Sequence, residues 1–258
     1  MNRNQMNSLL SAFAVTLIGL SACSPAATPT PAPVHWTYEG EEGPAHWGDL
    51  SPDYAVCSTG KSQSPIDISN PVPQDVANIV FHYQPSKVNI FNNGHTIQVN
   101  YDAGSYLELD GIRYDLLQFH FHAPSEHVIN GKLADAEMHL VHKSADGSLA
   151  VVGVLINVGA DNPAFKTTWD NLPTEIGPVQ QLSVELNAAD MLPVVQETYS
   201  YSGSLTTPPC TEGVKWNVMV EPIEISEAQL ATFTHIFEGN NRPVQPLDGR
   251  TLIEDITP

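Results

Sequence analysis

The segment Gln118–His127 reads QFHFHAPSEH, and AEMHLVH follows at Ala136–His142. Residues i and i+2 of a β-strand share a face, so His120 and His122 place two imidazoles side by side. The turn NGK at Asn130–Lys132 lies between the two segments. If they pair antiparallel, His139 comes across from the other two. Three neutral imidazoles with one open position suit a catalytic zinc ion. A structural zinc is normally closed by four protein ligands, usually including cysteines, and this chain has no Cys-x-x-Cys pair. Period two also sets Gln118 on the face of His120 and His122, and Glu137 and Val141 on the face of His139. A Gln and a Glu there would accept the far ring N–H groups, fix the tautomers and raise ligand basicity. Phe119, Phe121, Met138 and Leu140 fall on the opposite face, as core residues do.

Two other readings of these residues stay open at this point. The chain has ten histidines, and a strand histidine is commonly a surface or hydrogen-bonded core residue; His82, His127 and His142 are read that way. A cupin barrel would add Glu126 to His120 and His122 around iron or manganese. Gly111 is not spaced as that motif expects, and its later proline–glycine–histidine segment is missing.

The elements that must position these groups are mostly strands. TIQVNY, SYLEL, YDLLQFHFH, AEMHLVHK and LAVVGVLINV are short, rich in β-formers and separated by the turn residues DAG, DG, NGK and ADGS. Ser226 with Gln229 three residues later is a capping box opening a helix over SEAQLATFTHIF. A shorter helix is expected over NPAFKTTWDN. The pattern predicts a mainly β fold: a large, twisted, largely antiparallel central sheet with short peripheral helices.

The 258 residues carry 29 acidic and 10 basic side chains, a net charge of −19. No basic patch is available to grip nucleic acid, and that partner class is excluded. At the N-terminus, Arg3 precedes an apolar run, Leu9–Leu20, shorter than the ~20 residues a membrane span needs. LSAC at Leu20–Cys23 resembles the cleavage box of bacterial lipoproteins. Residues 1–22 are therefore read as a signal peptide, Cys23 as a lipid-modified first residue, and residues 23–34, rich in Pro, Ala and Thr, as a tether. One domain follows over residues 35–258. The expected location is outside the cytoplasm, periplasmic or at the cell surface, anchored to a membrane through the lipid. With Cys23 lipidated, Cys57 and Cys210 remain, and an oxidising compartment allows them to bond. Two separate buried thiols are the other reading. Monomer and homodimer are equally compatible with the sequence.

Further motifs decide among these readings. YEGEEGPAHWGDL (Tyr38–Leu50), QSPIDI (Gln63–Ile68), NNGHTIQV (Asn92–Val99), GSLTTPPCTEGVKW (Gly203–Trp216) and NNRPVQPLDGR (Asn240–Arg250) flank the histidine segments. In this order, over nearly the whole domain, the chain resembles an α-class carbonic anhydrase of the bacterial exported type. The resemblance implies reversible hydration of carbon dioxide to bicarbonate and a proton, by attack of a zinc-bound hydroxide, with one Zn2+ per chain. His120, His122 and His139 match the zinc ligands. Gln118, Glu137 and the backbone of Asn240 match their hydrogen-bond partners. Glu126 and Thr206 match the pair that orients the hydroxide, and His95 the proton shuttle. Tyr38 and Asn93 match polar residues that hold a water chain. Val141, Val151, Leu205 and Trp216 match the apolar wall that receives carbon dioxide, and Thr207 lies beside the bicarbonate position. Members of this type often bond the cysteines matching Cys57 and Cys210. Many animal members have Trp where Ala123 stands, which changes the shape of the wall nearby. Acatalytic relatives lose a zinc histidine; this chain keeps all three. A zinc-storing module without turnover would need none of Glu126, Thr206 and His95.

Overall fold

The structure, a computed structural model, describes residues 34–256. The expected signal peptide, Cys23 and nearly all of the tether lie outside the described residues. The alternating segments form strands as the pattern predicts. Ile112–His122, Ala136–Ser144 and Leu149–Val158 are the longest, and they lie side by side at the middle of a 13-stranded sheet. Ile97–Asn100, Ser86–Asn92 and Gln180–Leu186 extend the sheet beyond Ile112–His122. Glu212–Met219, Thr198–Ser204, Ile253–Asp255 and Val72–Gln74 extend it beyond Leu149–Val158.

Most of the pairings are antiparallel. Glu212–Met219 and Ile223–Ile225 run parallel to Leu149–Val158, and Val72–Gln74 runs parallel to Ile253–Asp255. Parallel neighbours need a long crossover. Here it is supplied by the chain between Val158 and Glu212, which also carries two strands of the same sheet.

One turn differs from the expected arrangement. Asn130 (φ 49°) and Gly131 (φ 79°) both adopt left-handed backbone, the geometry of a tight two-residue hairpin. They close a small hairpin, Val128–Ile129 with Lys132–Leu133, inserted between the two histidine strands. The long strands nevertheless pair in the register that matters: His139 opposite His120, Glu137 opposite His122, and Val141 opposite Gln118. Directly opposed residues share a face, so the three histidines converge.

Leu149–Val158 has no polar face along its buried part because it is covered on both sides. Val152, Val154 and Ile156 join the larger core with Phe119, Phe121, Met138 and Leu140. Val151 and Leu155 face the other way, into a smaller cluster with Trp216 and Tyr201. The helix Glu227–Thr234 starts at the expected cap: Ser226 Oγ accepts from Gln229 N–H at 3.2 Å, and Gln229 Oε1 accepts from Ser226 N–H at 3.0 Å. It stops before the end of the predicted segment. NPAFKTTWDN yields a 3-10 turn, Pro163–Phe165, running into Lys166–Trp169. Among the described residues, no helix is long and apolar enough to cross a membrane.

Candidate metal centre

Nitrogens of His120, His122 and His139 lie within 4.8 Å of one another. Each ring is held by its other nitrogen. His120 Nδ1 lies 2.9 Å from Gln118 Oε1, His122 Nδ1 lies 2.6 Å from the carbonyl of Asn240, and His139 Nε2 lies 2.9 Å from Glu137 Oε1. All three partners are acceptors, so each of those nitrogens carries the proton. The inward nitrogens are then Nε2, Nε2 and Nδ1, each with a free lone pair. Burial lowers the pKa of all three rings, His122 to about 4. They are therefore neutral, the form that ligates.

Whether a metal fits can be judged at His122. Its Nε2 is a buried atom with no hydrogen-bond partner, which costs stability unless something occupies it. A divalent cation bound by three imidazoles accounts for it, and the softness of the donor set suits zinc.

Glu137 supports more than one histidine. Its Oε1 accepts from His139 and from His127 Nδ1 (2.7 Å), and its Oε2 accepts from the backbone N–H groups of Glu126 (2.9 Å) and His127 (2.8 Å). Burial opposes its charge, but His127 and His139 outweigh burial and hold its pKa well below the usual carboxylate range. His127 continues the chain: its Nε2 lies 2.7 Å from Tyr201 Oη, which lies 2.8 Å from Ser64 Oγ.

Glu126 is also fully buried. Its Oε1 accepts from the backbone N–H of Arg242 at 2.8 Å. Burial pushes its pKa up to about 7, against His139, the Arg242 N–H and the Thr206 hydroxyl, which favour the charged form. A cation at the histidines acts in that same direction. Glu126 Oε2 has no donor of good geometry, and Thr206, itself buried, is the hydroxyl that stabilises it.

Thr206 and Thr207 sit on a loop anchored at several points. Cys57 and Cys210 form a disulfide, Cys210 N–H donates to the Thr207 carbonyl at 2.8 Å, and Leu205 N–H donates to the Thr211 carbonyl at 3.0 Å. Beside it, Val151 and Trp216 are buried, with Val141 and Leu205 packed against them. The Trp216 indole N–H donates to the Ser204 carbonyl at 2.9 Å, and its ring meets that of His139 edge-on at 4.8 Å. Val141, Val151, Leu205 and Trp216 thus belong to one apolar cluster, which Trp216 brings against His139.

His95 stands where the sequence places it, after a turn. Asn93 Oδ1 accepts from the N–H groups of His95 and Thr96, both at 2.9 Å. Asn93 therefore shapes the turn that presents His95, and its amide N–H contacts Gln98 at 3.4 Å. The His95 ring is half-buried and stacks on Trp36 at 3.6 Å; burial and nearby His35 lower its pKa. The Tyr38 ring lies 6.5 Å from it. Burial and Glu126 raise the Tyr38 pKa, keeping the hydroxyl protonated.

The sequence reading missed four contributors. Gln98 is register partner of His120 on the adjacent strand and shares its face; period two on TIQVNY was the available signal. Arg242 is 1% exposed and donates to Gln63 Oε1, the Ser64 carbonyl and the Cys57 carbonyl, which ties the N-terminal segment to the residue that holds Glu126. His127, read as a structural or surface residue, is a buried link to Glu137. Trp36 is the stacking partner of His95. Nothing local marks the last three.

The geometry so far is a cluster of three histidines that could hold a metal ion, on a largely antiparallel sheet, with a buried acid, a buried hydroxyl and apolar side chains beside it. A family model for eukaryotic-type carbonic anhydrase matches residues 42–256. A carbonic anhydrase from Nostoc sp. is 46% identical over 255 residues, covering 96% of this chain and 97% of that one. Among solved structures, a hyperthermostable carbonic anhydrase from an active hydrothermal vent chimney has a TM-score of 0.83 and 51% identity, covering 86% of this chain and all of the other. The α-carbonic anhydrase of Thermovibrio ammonificans, solved with sulfanilamide, has a TM-score of 0.84 and 45% identity, with 86% and 100% coverage. The chain belongs to the eukaryotic-type, or α-class, carbonic anhydrase family. It is an enzyme of that class.

Proposed function

We propose that the enzyme interconverts carbon dioxide and bicarbonate with one zinc ion held by His120, His122 and His139. The observation that carries this reading is the unpartnered Nε2 of His122, at the focus of three rings whose other nitrogens are all held. When bound, zinc supplies a Lewis acid that makes water acidic enough to lose its proton near neutral pH. Neutral ligands leave the ion its full double charge.

The protein's own groups do the rest. Ionised Glu126 can only accept a hydrogen bond, so the Thr206 hydroxyl donates to it and presents its own lone pair to the attacking oxygen. That fixes the direction of attack, an orientational contribution. Val141, Val151, Leu205 and Trp216 receive the apolar substrate and exclude water, and Thr207 flanks the product. Each turnover leaves a proton to remove. His95 carries it, since an imidazole titrates near neutrality and burial shifts this one only downward. Tyr38 and Asn93, with Gln98, line the route between.

His139→Ala tests the ligand assignment. It leaves two protein ligands for a metal that prefers four donors, so zinc content and hydration activity are expected to fall together. Full zinc with full activity in that variant would overturn it. We also propose that residues 1–22 are removed, that Cys23 carries lipid, and that the domain over residues 35–258 is held at a membrane outside the cytoplasm. In that case Cys23→Ala moves the activity from the membrane fraction to the soluble one; an unchanged distribution contradicts the anchor.

A further inference from the structure

His95 sits on a hairpin tip, so its distance from the triad depends on what holds that tip. The strands Ser86–Asn92 and Ile97–Asn100 pair with Asn92 opposite Ile97, and residues 93–96 connect them. Loop tips are where disorder concentrates, but this one is bonded throughout. Asn93 N–H donates to the Thr96 carbonyl at 3.2 Å, and the N–H groups of Gly94, His95 and Thr96 donate to asparagine side chains. On its inner side the tip is tied to the histidine strand. Asn240 Nδ2 donates to the His95 carbonyl at 3.0 Å, and Thr96 Oγ1 donates at 2.6 Å to the carbonyl of Phe121, which lies between two of the triad histidines.

On the outer side the bonds come from Asn92, which is 3% exposed. Its Oδ1 accepts from Gly94 N–H at 2.9 Å, and its Nδ2 donates to the carbonyls of Pro173 at 3.3 Å and Thr174 at 3.5 Å. Its own carbonyl accepts from Gly177 N–H at 3.1 Å. One residue thus joins the tip to a segment that begins 81 residues later in the chain. That segment also packs on the tip directly. Gly94 has left-handed backbone, φ 91°, and a Cβ placed there would lie 3.2 Å from Ile176 Cδ1. A primary amide carries an acceptor and two donors on one carbon, which is what joining an N–H group to two carbonyls requires. An apolar side chain at this position would leave all three groups without their partner.

We propose that Asn92 is a positioning residue for proton transfer: it holds the hairpin tip against the 173–177 segment and so fixes the span from the triad to the His95 ring. The inference rests on the reading of His95 as the proton carrier, and Asn92 acts only through it. Without the Asn92 amide the tip keeps its inner ties and loses its side-chain ties on the outer side. The His95 ring, stacked on Trp36, then no longer keeps one position. Transfer is steep in geometry, and a misplacement of about 1 Å can cost about 100-fold. The triad and the apolar cluster are held by other residues, so the interconversion of carbon dioxide and bicarbonate is left as it is.

The test compares the zinc-loaded wild type with Asn92→Ala, Asn92→Ser, His95→Ala and the Asn92→Ala/His95→Ala double variant. Hydration turnover in dilute buffer and isotope exchange between carbon dioxide and bicarbonate at equilibrium are measured on each. Asn92→Ala should lower turnover about fivefold or more while isotope exchange stays within about twofold, and an imidazole-type buffer should restore the turnover. In the His95→Ala background the same substitution should change turnover by less than about twofold, because one residue acting through another is not additive with it. The Asn92→Ser hydroxyl still accepts from Gly94 N–H, so that variant should lose less than Asn92→Ala but about twofold or more; it decides the matter if Asn92→Ala does not fold. Wild-type turnover in the Asn92 variants, beside a clear and rescued loss in His95→Ala, overturns this inference alone. Equal loss of turnover and isotope exchange, or full additivity in the double variant, also overturns it by showing that Asn92 only supports the fold. If His95→Ala itself keeps full turnover, the proton carrier is misassigned and the inference falls with that reading.

Discussion

Replacing Glu137 by Gln should cripple the metal centre without removing a ligand or changing a volume. The wild-type carboxylate accepts four hydrogen bonds, two at each oxygen. Glutamine keeps only one accepting oxygen. If that oxygen stays with the backbone N–H groups of Glu126 and His127, the new NH2 faces two imidazole N–H groups. His139 must then move its proton from Nε2 to Nδ1, which is its inward nitrogen, and it ceases to ligate. If the amide flips, the NH2 opposes two backbone N–H groups that have no other tautomer. Either way two bonds to a charged acceptor are lost, each worth about 1.5–3 kcal/mol. The sum, about 3–6 kcal/mol, is a large part of the 5–15 kcal/mol by which domains are typically stable. Where the fold survives, loss of such a histidine partner typically costs 10–100-fold in metal affinity. Zinc affinity measured by chelator competition and thermal unfolding of the zinc-free protein report the two effects separately. A variant with wild-type zinc affinity and wild-type melting temperature would refute the reasoning, because it would show that the tautomer of His139 is not fixed by Glu137.

Three further outcomes are expected. His95→Ala should lower hydration turnover in dilute buffer, recover it with an imidazole-type buffer, and leave isotope exchange between carbon dioxide and bicarbonate at equilibrium nearly unchanged; equal loss of both processes without rescue would mean that His95 is structural. Reducing the Cys57–Cys210 bond, which spans 153 residues, should cost up to about 5 kcal/mol in the chain-entropy model and lower activity through the Thr206 loop, and denaturant titrations that coincide with and without reductant would contradict this. Burial lowers His142 from 6.5 to about 3, so the unfolded chain takes up a proton near pH 6.5 that the folded one refuses until near pH 3. The stability this histidine contributes is complete above pH 6.5 and is lost as pH falls towards 3, at up to about 1.4 kcal/mol per pH unit. In His142→Gln, urea unfolding between pH 6 and 4 should lose that much of its pH slope, and an unaltered slope would rule it out.

The local groundwork of the metal centre is written in the sequence because it depends on neighbours a few residues apart. Strand period two fixes that His120, His122 and Gln118 share a face, that Glu137 stands with His139, and that Phe119 and Met138 do not. A capping box needs only Ser226 and Gln229, and both occupy their roles. Motif order over the whole chain identifies the family. Tertiary structure alone decides which distant groups meet. The carbonyl that fixes His122 belongs to Asn240, 118 residues away, and the amide that holds Glu126 belongs to Arg242. Backbone groups have no side-chain type, so no residue pattern can announce them. His127 has the same ambiguity in another form: a histidine in the bend after a strand is marked by nothing local, and only the folded chain puts Glu137 on one side of its ring and Tyr201 on the other. Even the convergence of the triad needed the sheet, since a hairpin was inserted where a direct turn was expected and register, which long-range packing sets, still brought His139 opposite His120.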